Sequence, residues 1–411
     1  MFRYFSLFIL LAAPLCSATS AAAGLSLFDA TQRVLAKNPQ IALSNALEAA
    51  ASGRVVQAGV LPNPELSYEL EDFSGDTNRS ASDATTTFSL SQQFSLPGKR
   101  SARQALAEGE QALAALDSQA QRLRLIRLTR ERYIDAIAAQ EKLAASEQNL
   151  QLARQTLDIV SARVSAGKVS PIEQSRATVA LRSAQRELAL QQQWRQLAQR
   201  RLAALWGEAK LTESLLDELV LPPTLSELET TNSKTPILQL ADSRVQKEQA
   251  ALRLAQAERV SDFTLMAGMK REAGSRAESL LVGVSIPIPL FNRNQGAVLS
   301  AKANIAAAEA DQALLNQEWR TQRDQLETQR AASFQEAAYL RDDVLRLARE
   351  IAEATREGYQ AGKFSLLDLL DAQRSLIESQ SLYLAARLSF HQSDAALNEL
   401  LGLAMSAGNT L

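Results

Sequence analysis

Side chains that commonly carry out catalysis are scarce in this sequence. Among its 411 residues there is one histidine, His391, and one cysteine, Cys16. Disulfide frameworks, zinc clusters, Cys-His pairs and Ser-His-Asp triads each need more of these residues than the chain has. A lone histidine cannot complete a metal site either. We therefore expect no catalytic residues, no cofactor, no resident metal and no enzymatic activity.

Two aspartates, Asp368 and Asp371, are spaced so that they lie on one face of a helix. Asp368 also stands where a helix capping residue is expected. Asp368 and Glu173 each stand three residues after a serine, Ser365 and Ser170, as in a helix capping box. On spacing alone, capping is the favoured role for Asp368 and Glu173.

A concentration of arginines raises the question of polyanion binding. They are Arg122, Arg124, Arg127, Arg130 and Arg132. The chain as a whole carries 44 basic and 46 acidic residues, a formal net charge of -2, and acidic residues lie near the arginines. A solvated helix face is therefore the favoured interpretation, and we expect no nucleic acid partner.

The chain begins with the three-part layout of a secretory signal peptide, residues 1–23. Arg3 precedes an apolar stretch that ends at Leu15, and small residues follow to Ala23. This stretch is too short for a membrane-spanning helix, and no later run of about 18 apolar residues exists. Cleavage near Ala23 would remove Cys16. Lipidation of Cys16 is the alternative, and the large Leu15 directly before it is unfavourable for that modification.

The sequence after the leader contains an internal duplication. Ala-Gly-Lys at 166–168 recurs at 361–363, and the tripeptide at 205–207 has a counterpart at 400–402, both with an offset of 195 residues. An offset shared by several motifs indicates a duplicated structural unit. We expect a first copy over 24–206, a connection over 207–235, a second copy over 236–402 and a tail over 403–411.

Each copy contains two runs in which apolar and polar residues alternate, the pattern of a β-strand. We expect strands over 64–73, 85–96, 262–270 and 279–289. A soluble sheet with one buried face is one interpretation. The runs are also about ten residues long, enough for tilted strands to cross a membrane. Because four strands cannot close a barrel and open edges are costly in lipid, membrane insertion would require three chains and twelve strands.

Two long helices joined by a tight turn are expected after each strand pair. The helical pattern is unbroken from Gly98 to about Gly167, and heptads of large and small residues predict coiled-coil seams. Gly167 and Gly362 are expected to end helices in the left-handed conformation, and Ser170 and Ser365 to cap the next ones. Each copy therefore ends in a helical hairpin, with tips near 167 and 362.

Several short motifs, taken together with their order and spacing, resemble the TolC-like outer-membrane efflux proteins over essentially the whole mature chain. They are Leu-Pro-Asn-Pro-Glu-Leu at 61–66, the two Ala-Gly-Lys tips, Pro-Ile-Pro-Leu-Phe-Asn-Arg-Asn-Gln-Gly at 287–296 and Leu-Asp-Leu-Leu-Asp-Ala-Gln at 367–373. The resemblance implies a mainly α fold with β-strands. Three chains would form a twelve-stranded β-barrel in outer-membrane lipid, continued by a twelve-helix α-barrel across the periplasm. Glu-Leu-Glu-Asp-Phe at 69–73 looks most like the branch for cobalt-zinc-cadmium or copper-silver efflux.

The resemblance also implies a passive exit duct fed by an inner-membrane pump of the RND type through a periplasmic adaptor. It implies that Asp368 and Asp371 constrict the entrance, where six carboxylates from three chains would attract cations and could have raised pKa values. The equivalent positions of the first copy hold Glu173 and Arg176, so that hairpin is expected to form outer wall. The adaptor is expected to dock on Arg163, Gly167, Lys168 and Ser170 of the first tip and on Tyr359, Gly362, Lys363 and Ser365 of the second.

Three alternatives remain open at this level. A channel for drug efflux or type I protein secretion would share the fold and differ in its pump. A soluble periplasmic coiled-coil scaffold would explain the helices but leave the strands and the leader as coincidence. A periplasmic adaptor would explain export, but it should contain one hairpin rather than two. No cluster of Met, His or Cys identifies the cargo.

Overall fold

The structure is a computed structural model, and it describes residues 24–71, 84–225, 235–275 and 277–403. The expected signal peptide over 1–23, with Cys16, lies outside the described residues, and so does the expected tail apart from its first residue. None of the helices in the described ranges carries an apolar stretch of the length that crossing a bilayer requires.

Long helices and one small sheet make up the described residues, and the same order of elements occurs twice. The first copy consists of α1 (Leu27–Lys37), α2 (Pro39–Ala58), β1 (Glu65–Glu71), β2 (Thr85–Phe94), α3 (Lys99–Ser165) and α4 (Pro171–Ala203). The second consists of α5 (Pro236–Ala257), β3 (Phe263–Glu272), β4 (Glu278–Ser285), α6 (Gln295–Tyr339), α7 (Leu345–Gln360) and α8 (Leu366–Leu400). In both copies a strand pair leads into a long helical hairpin.

The four strands form one antiparallel sheet in the order β1-β2-β3-β4, so the two copies share a single sheet. Successive side chains of a strand point to opposite faces, and the alternation in the sequence therefore gives one apolar face and one face of small or polar residues. In a single chain the apolar face is open. Leu280 and Val282 of β4 are 83% and 87% exposed.

Two strands end earlier than the sequence pattern predicted. β4 ends at Ser285, so Ile286 and Ile288 lie beyond it and the expected end at 289 is wrong. The reason is Pro287, which has no N–H to donate to a neighbouring strand. β2 ends at Phe94 instead of 96, where the chain turns towards α3.

The first long helix of each copy begins at a sharp corner with a left-handed residue. Gly98 precedes α3 with φ 99°, and Asn294 precedes α6 with φ 56°. Glycine adopts this region freely and asparagine tolerates it. From this corner α3 runs for 67 residues without a break, which at 1.5 Å per residue is about 100 Å. The predicted uninterrupted helix is confirmed.

The corresponding helix of the second copy is interrupted. Between α6 and α7, Leu340–Val344 form one π-helical turn, in which the N–H of Leu345 donates to the carbonyl oxygen of Leu340. A π turn accommodates one more residue than an α-helical turn. Nothing in the heptad pattern predicted this interruption.

Burial confirms the coiled-coil seams predicted for α3 and α8. The buried seam positions are Ala136, Ala139, Leu143, Ser146, Leu150, Ala153 and Val160 in α3, and Leu369, Ala372, Ser379, Ala386, Phe390, Ser393, Leu397 and Leu400 in α8. The remaining predicted positions are partly buried. Small residues between the large ones allow the helices to approach closely while the large side chains interlock.

The largest buried cluster lies midway along α3, where α1 and the connection between the copies pack against the long helices. The hydroxyl of Tyr133 lies 2.7 Å from the carbonyl oxygen of Leu25 and 2.7 Å from Oδ2 of Asp217. Arg387 of α8 donates to the carbonyl oxygen of Leu219 at 2.6 Å. The connection is therefore fastened to α3 and to α8, which fixes these helices relative to each other above the tips.

Candidate functional site at the hairpin tips

Both hairpin tips end their first helix in the same way. Gly167 and Gly362 have φ values of 67° and 77°, the left-handed region expected from the sequence. The N–H of Lys168 donates to the carbonyl oxygen of Arg163 at 2.9 Å, and the second tip makes the equivalent bond. These are the bonds of a Schellman motif, which pairs carbonyl groups that the end of a helix leaves free. The turns are therefore defined by backbone hydrogen bonds.

The two serines cap the next helices differently. Ser365 and Asp368 form a complete capping box, with the Asp368 N–H donating to the serine hydroxyl at 3.2 Å and the Ser365 N–H donating to Oδ2 of the aspartate at 2.9 Å. Ser170 accepts from the N–H of Ile172 instead, and no box forms with Glu173. The capping role expected for Glu173 is therefore wrong, because its carboxylate faces the other hairpin.

Three side chains join the two hairpins, and we call them the tip clamp: Arg163 of α3, Glu173 of α4 and Tyr359 of α7. The Arg163 guanidinium lies over the Tyr359 ring, 4.5 Å from its centre, and donates to the Tyr359 carbonyl oxygen. The Tyr359 hydroxyl donates to Oε2 of Glu173 at 3.2 Å. Burial raises the pKa of Tyr359, and the nearby Glu173 charge raises it further. The clamp therefore ties α7 to both helices of the first hairpin.

An apolar cluster supports the tip clamp. Its buried members besides Tyr359 are Val160, Ala177, Leu366 and Leu369. The Phe364 ring fills a slot beside Gly358, where an added Cβ would come within 2.1 Å of that ring. The tips are thus held by packing as well as by the clamp.

The residues expected to form the docking surface do not share one environment. Most of them are exposed: Gly167, Lys168, Ser170, Gly362, Lys363 and Ser365. Arg163 is partly buried, and Tyr359 is only 1% exposed. Tyr359 is therefore misplaced in the expected surface, since it supports the tip from inside.

Asp368 and Asp371 are both exposed near the start of α8. Besides the backbone bond, the Ser365 hydroxyl donates to Oδ2 of Asp368 at 2.7 Å. The Ser365 hydroxyl and backbone N–H lower the pKa of Asp368, because both stabilise the carboxylate. Within one chain this is the opposite of the raised pKa expected from carboxylate crowding.

A groove of about 760 Å³ runs beside the tips between α4 and α8, with α3 at its floor. Its exposed apolar residues are Ile172, Val179, Leu367 and Ile377. Arg176 and Arg374 also line it. Arg176, the counterpart of Asp371 in the first copy, therefore gives this groove a basic character.

Ligands suitable for a resident metal are not grouped together. Within the described ranges, no three His, Cys, Asp or Glu residues are close enough to hold a metal ion. His391 is 2% exposed, and its ring lies edge-on to Phe390 with centres 5.2 Å apart. Burial lowers the pKa of His391 to about 4, and the charge of Arg130 lowers it as well. It is a neutral packing residue.

Sequence reasoning missed the pairing of Glu173 with Tyr359. The two residues are 186 positions apart, so no local pattern could reveal it. The position of Glu173 after a serine pointed to capping instead.

Two copies of a strand pair and a long helical hairpin define a class of outer-membrane channel. The outer membrane protein VceC of Vibrio cholerae has this fold, with a TM-score of 0.78 at 22% identity over 92% of this chain and 96% of that one. The family of outer membrane efflux proteins matches residues 30–208 and 228–403 of the chain. The protein belongs to this family.

Curated relatives agree with this assignment. The cobalt-zinc-cadmium resistance protein CzcC of Cupriavidus metallidurans is 31% identical over 359 residues, which cover 85% of this chain and 83% of that protein. The pyoverdine export outer membrane protein OpmQ of Pseudomonas aeruginosa is 25% identical over 90% of this chain and 84% of its own length. The chain is an outer-membrane efflux channel that extends into the periplasm, and the scaffold and adaptor alternatives are set aside.

Proposed function

We propose that three copies of this chain form the exit duct of a tripartite efflux system for divalent metal cations of the cobalt, zinc and cadmium group. The carrying observation is the 31% identity with the cobalt-zinc-cadmium resistance protein over most of both chains. The inner-membrane pump supplies the energy and selects the cargo. The duct supplies a closed wall and an entrance.

The sheet supports assembly into a trimer. Among the residues that the structure describes, β1 and β4 each pair on one side only, and the apolar face of the sheet is open. An open strand edge in lipid leaves peptide groups unpaired at several kcal/mol each. Pairing β4 of one copy with β1 of the next removes every edge and gives twelve strands.

Mass determination of the detergent-purified protein tests the assembly directly. We expect three chains in the outer-membrane fraction. A monomer that stays dissolved without detergent would overturn both the trimer and the duct.

Asp368 and Asp371 form the entrance constriction in this proposal. Both are exposed near the tip of the second hairpin, and a ring of carboxylates around the axis favours cations. Asp371→Asn is the cleaner probe, because Asp368 also caps α8. Glu378→Gln, on an exposed site farther along α8, is the matched control.

Reversal potentials in planar bilayers with a salt gradient measure this preference. We expect Asp371→Asn to lower cation selectivity and Glu378→Gln to leave it unchanged. Equal selectivity in the parent and in Asp371→Asn would remove the carboxylate ring from the proposal.

The exposed tips form the adaptor surface, with Lys168 and Lys363 as its charged residues. Both lie beyond the last helical turn, so their ammonium groups are free to meet acidic side chains of a partner. We expect Lys168→Glu with Lys363→Glu to abolish co-purification with the adaptor while the trimer persists. Adaptor binding equal to that of the parent would exclude these tips as the docking surface.

Metal handling by cells tests the cargo. In a strain that lacks this gene, we expect cobalt, zinc and cadmium to accumulate and tolerance of them to fall, with recovery on complementation. A strain that loses tolerance of organic drugs, or secretion of a protein, but keeps its metal tolerance would indicate the corresponding alternative cargo.

A further inference from the structure

A pocket of about 260 Å³ lies between α3 and α4, beside the largest buried cluster and far from the tips. We call it the wall pocket. Its charged and aromatic lining consists of Arg132, Asp135 and Lys142 of α3 and Trp194 and Arg201 of α4. The wall pocket therefore combines three cationic side chains, one carboxylate and one indole ring.

Only one of the three cations in the wall pocket has a carboxylate partner. The Arg132 guanidinium lies 3.6 Å from Oδ2 of Asp135, and Oδ1 of that carboxylate accepts from Gln392 at 3.2 Å. Burial raises the pKa of Asp135, and the nearby charges of Arg132, Arg201 and Lys142 oppose the rise. Among the described residues, Lys142 and Arg201 form no ion pair. The pocket thus has a surplus of two positive charges.

The helical hairpin does not need these α4 residues in order to pack. In the second copy α8 takes the place of α4, and the offset of 195 residues gives Ser389 and Ala396 as the counterparts of Trp194 and Arg201. The same pair of helices therefore forms with two small residues at this level. Trp194 is also 50% exposed, so much of its ring remains free for another contact.

The wall pocket opens on the face of α3 that points away from the packed connection. α1 and the connection over 207–225, which we call the belt, cover α3 at Tyr133, Ile134 and Ile137. At 100° per residue, the α3 residues of the wall pocket point roughly 170° away from these three. Three belts on the inner side would fill the duct, so the belt lies outside and the wall pocket faces the lumen. This step rests on the proposed function.

Neighbouring copies leave the wall pocket open. All of its walls belong to one chain, namely α3, α4 and Leu388 of α8. At this level α3 packs against α4 on one side and against α8 on another. A neighbouring copy in the twelve-helix wall therefore meets α4 on the side that points away from α3.

We propose that the wall pocket binds a small aromatic carboxylate on the inner wall of the duct. The Trp194 ring offers a face on which an aromatic ring can stack. Lys142 and Arg201 supply charge-assisted hydrogen bonds to a carboxylate, and the arginine can do so with two parallel N–H groups. The volume is slightly below the usual range for drug-sized ligands, about 300–1,000 Å³, which suits a molecule of one or two rings.

The same lining disfavours a bare metal cation. A surplus of positive charge repels a divalent ion, and a single carboxylate that already has two partners is a poor ligand set for it. The wall pocket therefore adds organic anions to the molecules that the duct accepts.

Binding of 2-naphthoate to the detergent-purified protein, measured by equilibrium dialysis, tests the assignment. We expect Arg201→Ala to raise the Kd about tenfold, through loss of a charge-assisted bond, and Trp194→Leu to raise it about fivefold, through loss of stacking. Arg200→Ala is the matched control, because this neighbouring arginine is exposed and does not line the pocket. Its Kd should equal that of the parent.

Two further ligands separate the contributions of charge and ring. We expect 2-naphthalenemethanol, which has no charge, and cyclohexanecarboxylate, which has no aromatic ring, to bind more weakly than 2-naphthoate. Equal binding of either one would overturn the proposal, and so would a parent that binds no 2-naphthoate or an Arg200→Ala variant that loses as much affinity as Arg201→Ala.

The oligomeric state of each preparation keeps this test separate from that of the duct. The walls of the pocket lie within one chain, so binding is measured whatever the assembly. A trimer that binds no 2-naphthoate refutes the wall pocket alone, whereas a monomer that stays dissolved without detergent refutes the duct.

Reversal potentials in planar bilayers test the direction in which the wall pocket opens. A charge that faces the lumen changes ion selectivity, so we expect Arg201→Glu to raise the preference for cations. Lys37→Glu, the same change of charge on an exposed residue of the belt, should leave it unchanged. Parental selectivity in Arg201→Glu would place the pocket outside the lumen and overturn its assignment to the inner wall.

Discussion

The tip clamp joins the two hairpins beside the proposed entrance, so we expect its hydrogen bond from Tyr359 to Glu173 to hold that entrance closed. Tyr359→Phe removes only the group that donates to Glu173 at 3.2 Å. The ring, its contact with Arg163 at 4.5 Å and the bond from Arg163 to the backbone carbonyl all remain. The change therefore isolates one hydrogen bond between the two hairpins.

The size of the effect follows from the partner's charge and exposure. A hydrogen bond to a charged group contributes roughly 1.5–3 kcal/mol, and the lower value applies because Glu173 is partly exposed. A loss of about 1.5 kcal/mol from the closed state raises the ratio of open to closed about tenfold per copy. When the three copies of the duct open together, their individual factors multiply.

Single-channel recording in planar bilayers measures the open probability. Tyr383→Phe is the control, since the Tyr383 ring on α8 also lies under an arginine, with Arg387 at 4.7 Å, but is only partly buried and lies far from the tips. Glu173→Gln should have a similar effect to Tyr359→Phe, and the double variant should add little. An open probability equal to the parent's in Tyr359→Phe, or a rise of the same size in Tyr383→Phe, would refute the reasoning.

Three further predictions concern the turns and the helix contacts. Gly362→Ala forces a left-handed alanine and should lower stability by about 1–2 kcal/mol, seen as a lower Tm, whereas Gly296→Ala, at a helical site with open space, should not lower it. Folding lowers the pKa of the Asp368 carboxyl. The stability that this carboxylate gives the tip is therefore complete above the pKa that it has in the unfolded chain, and it is lost as the pH falls through its pKa in the folded chain. Ser365→Ala should therefore raise that pKa in carboxyl NMR titration, and an unchanged value would contradict the cause given. Asp394→Asn removes the carboxylate that Arg130 and Arg330 share. It should lower the free energy of unfolding by about 3–5 kcal/mol, measured by denaturant unfolding. A loss of less than about 1 kcal/mol would contradict a stabilising role for this buried ion pair.

The fold followed largely from the sequence because its signals are periodic and repeated. Heptads located the seams of α3 and α8, alternation located four strands, and the two Gly-Lys tips located the hairpin turns. The strand ends were less certain, since a proline such as Pro287 stops pairing before the apolar pattern stops. The π turn at Leu340–Val344 was not foreseen, because one extra residue per turn leaves no change in composition.

The candidate site was only partly predictable. The sequence indicated which residues stand at the tips, and it indicated the capping box of Ser365 and Asp368. It did not indicate that Tyr359 lies inside the tip, or that Glu173 binds its hydroxyl instead of capping α4. A serine three residues before an acidic residue permits a box in both copies, and the neighbouring hairpin decides whether the carboxylate is available for it.

The sequence by itself determined most of the features that depend on neighbours along the chain: helix and strand period, left-handed turn residues, the serine caps and the duplication. Only the tertiary structure decided which faces of distant helices meet. The Glu173 and Tyr359 pair spans 186 positions, and the bond from Arg130 to Asp394 spans 264. Local spacing fixes the direction in which a side chain leaves its own helix. Its partner depends on the rotation and packing of another helix, which are set by the sum of many contacts along the whole seam.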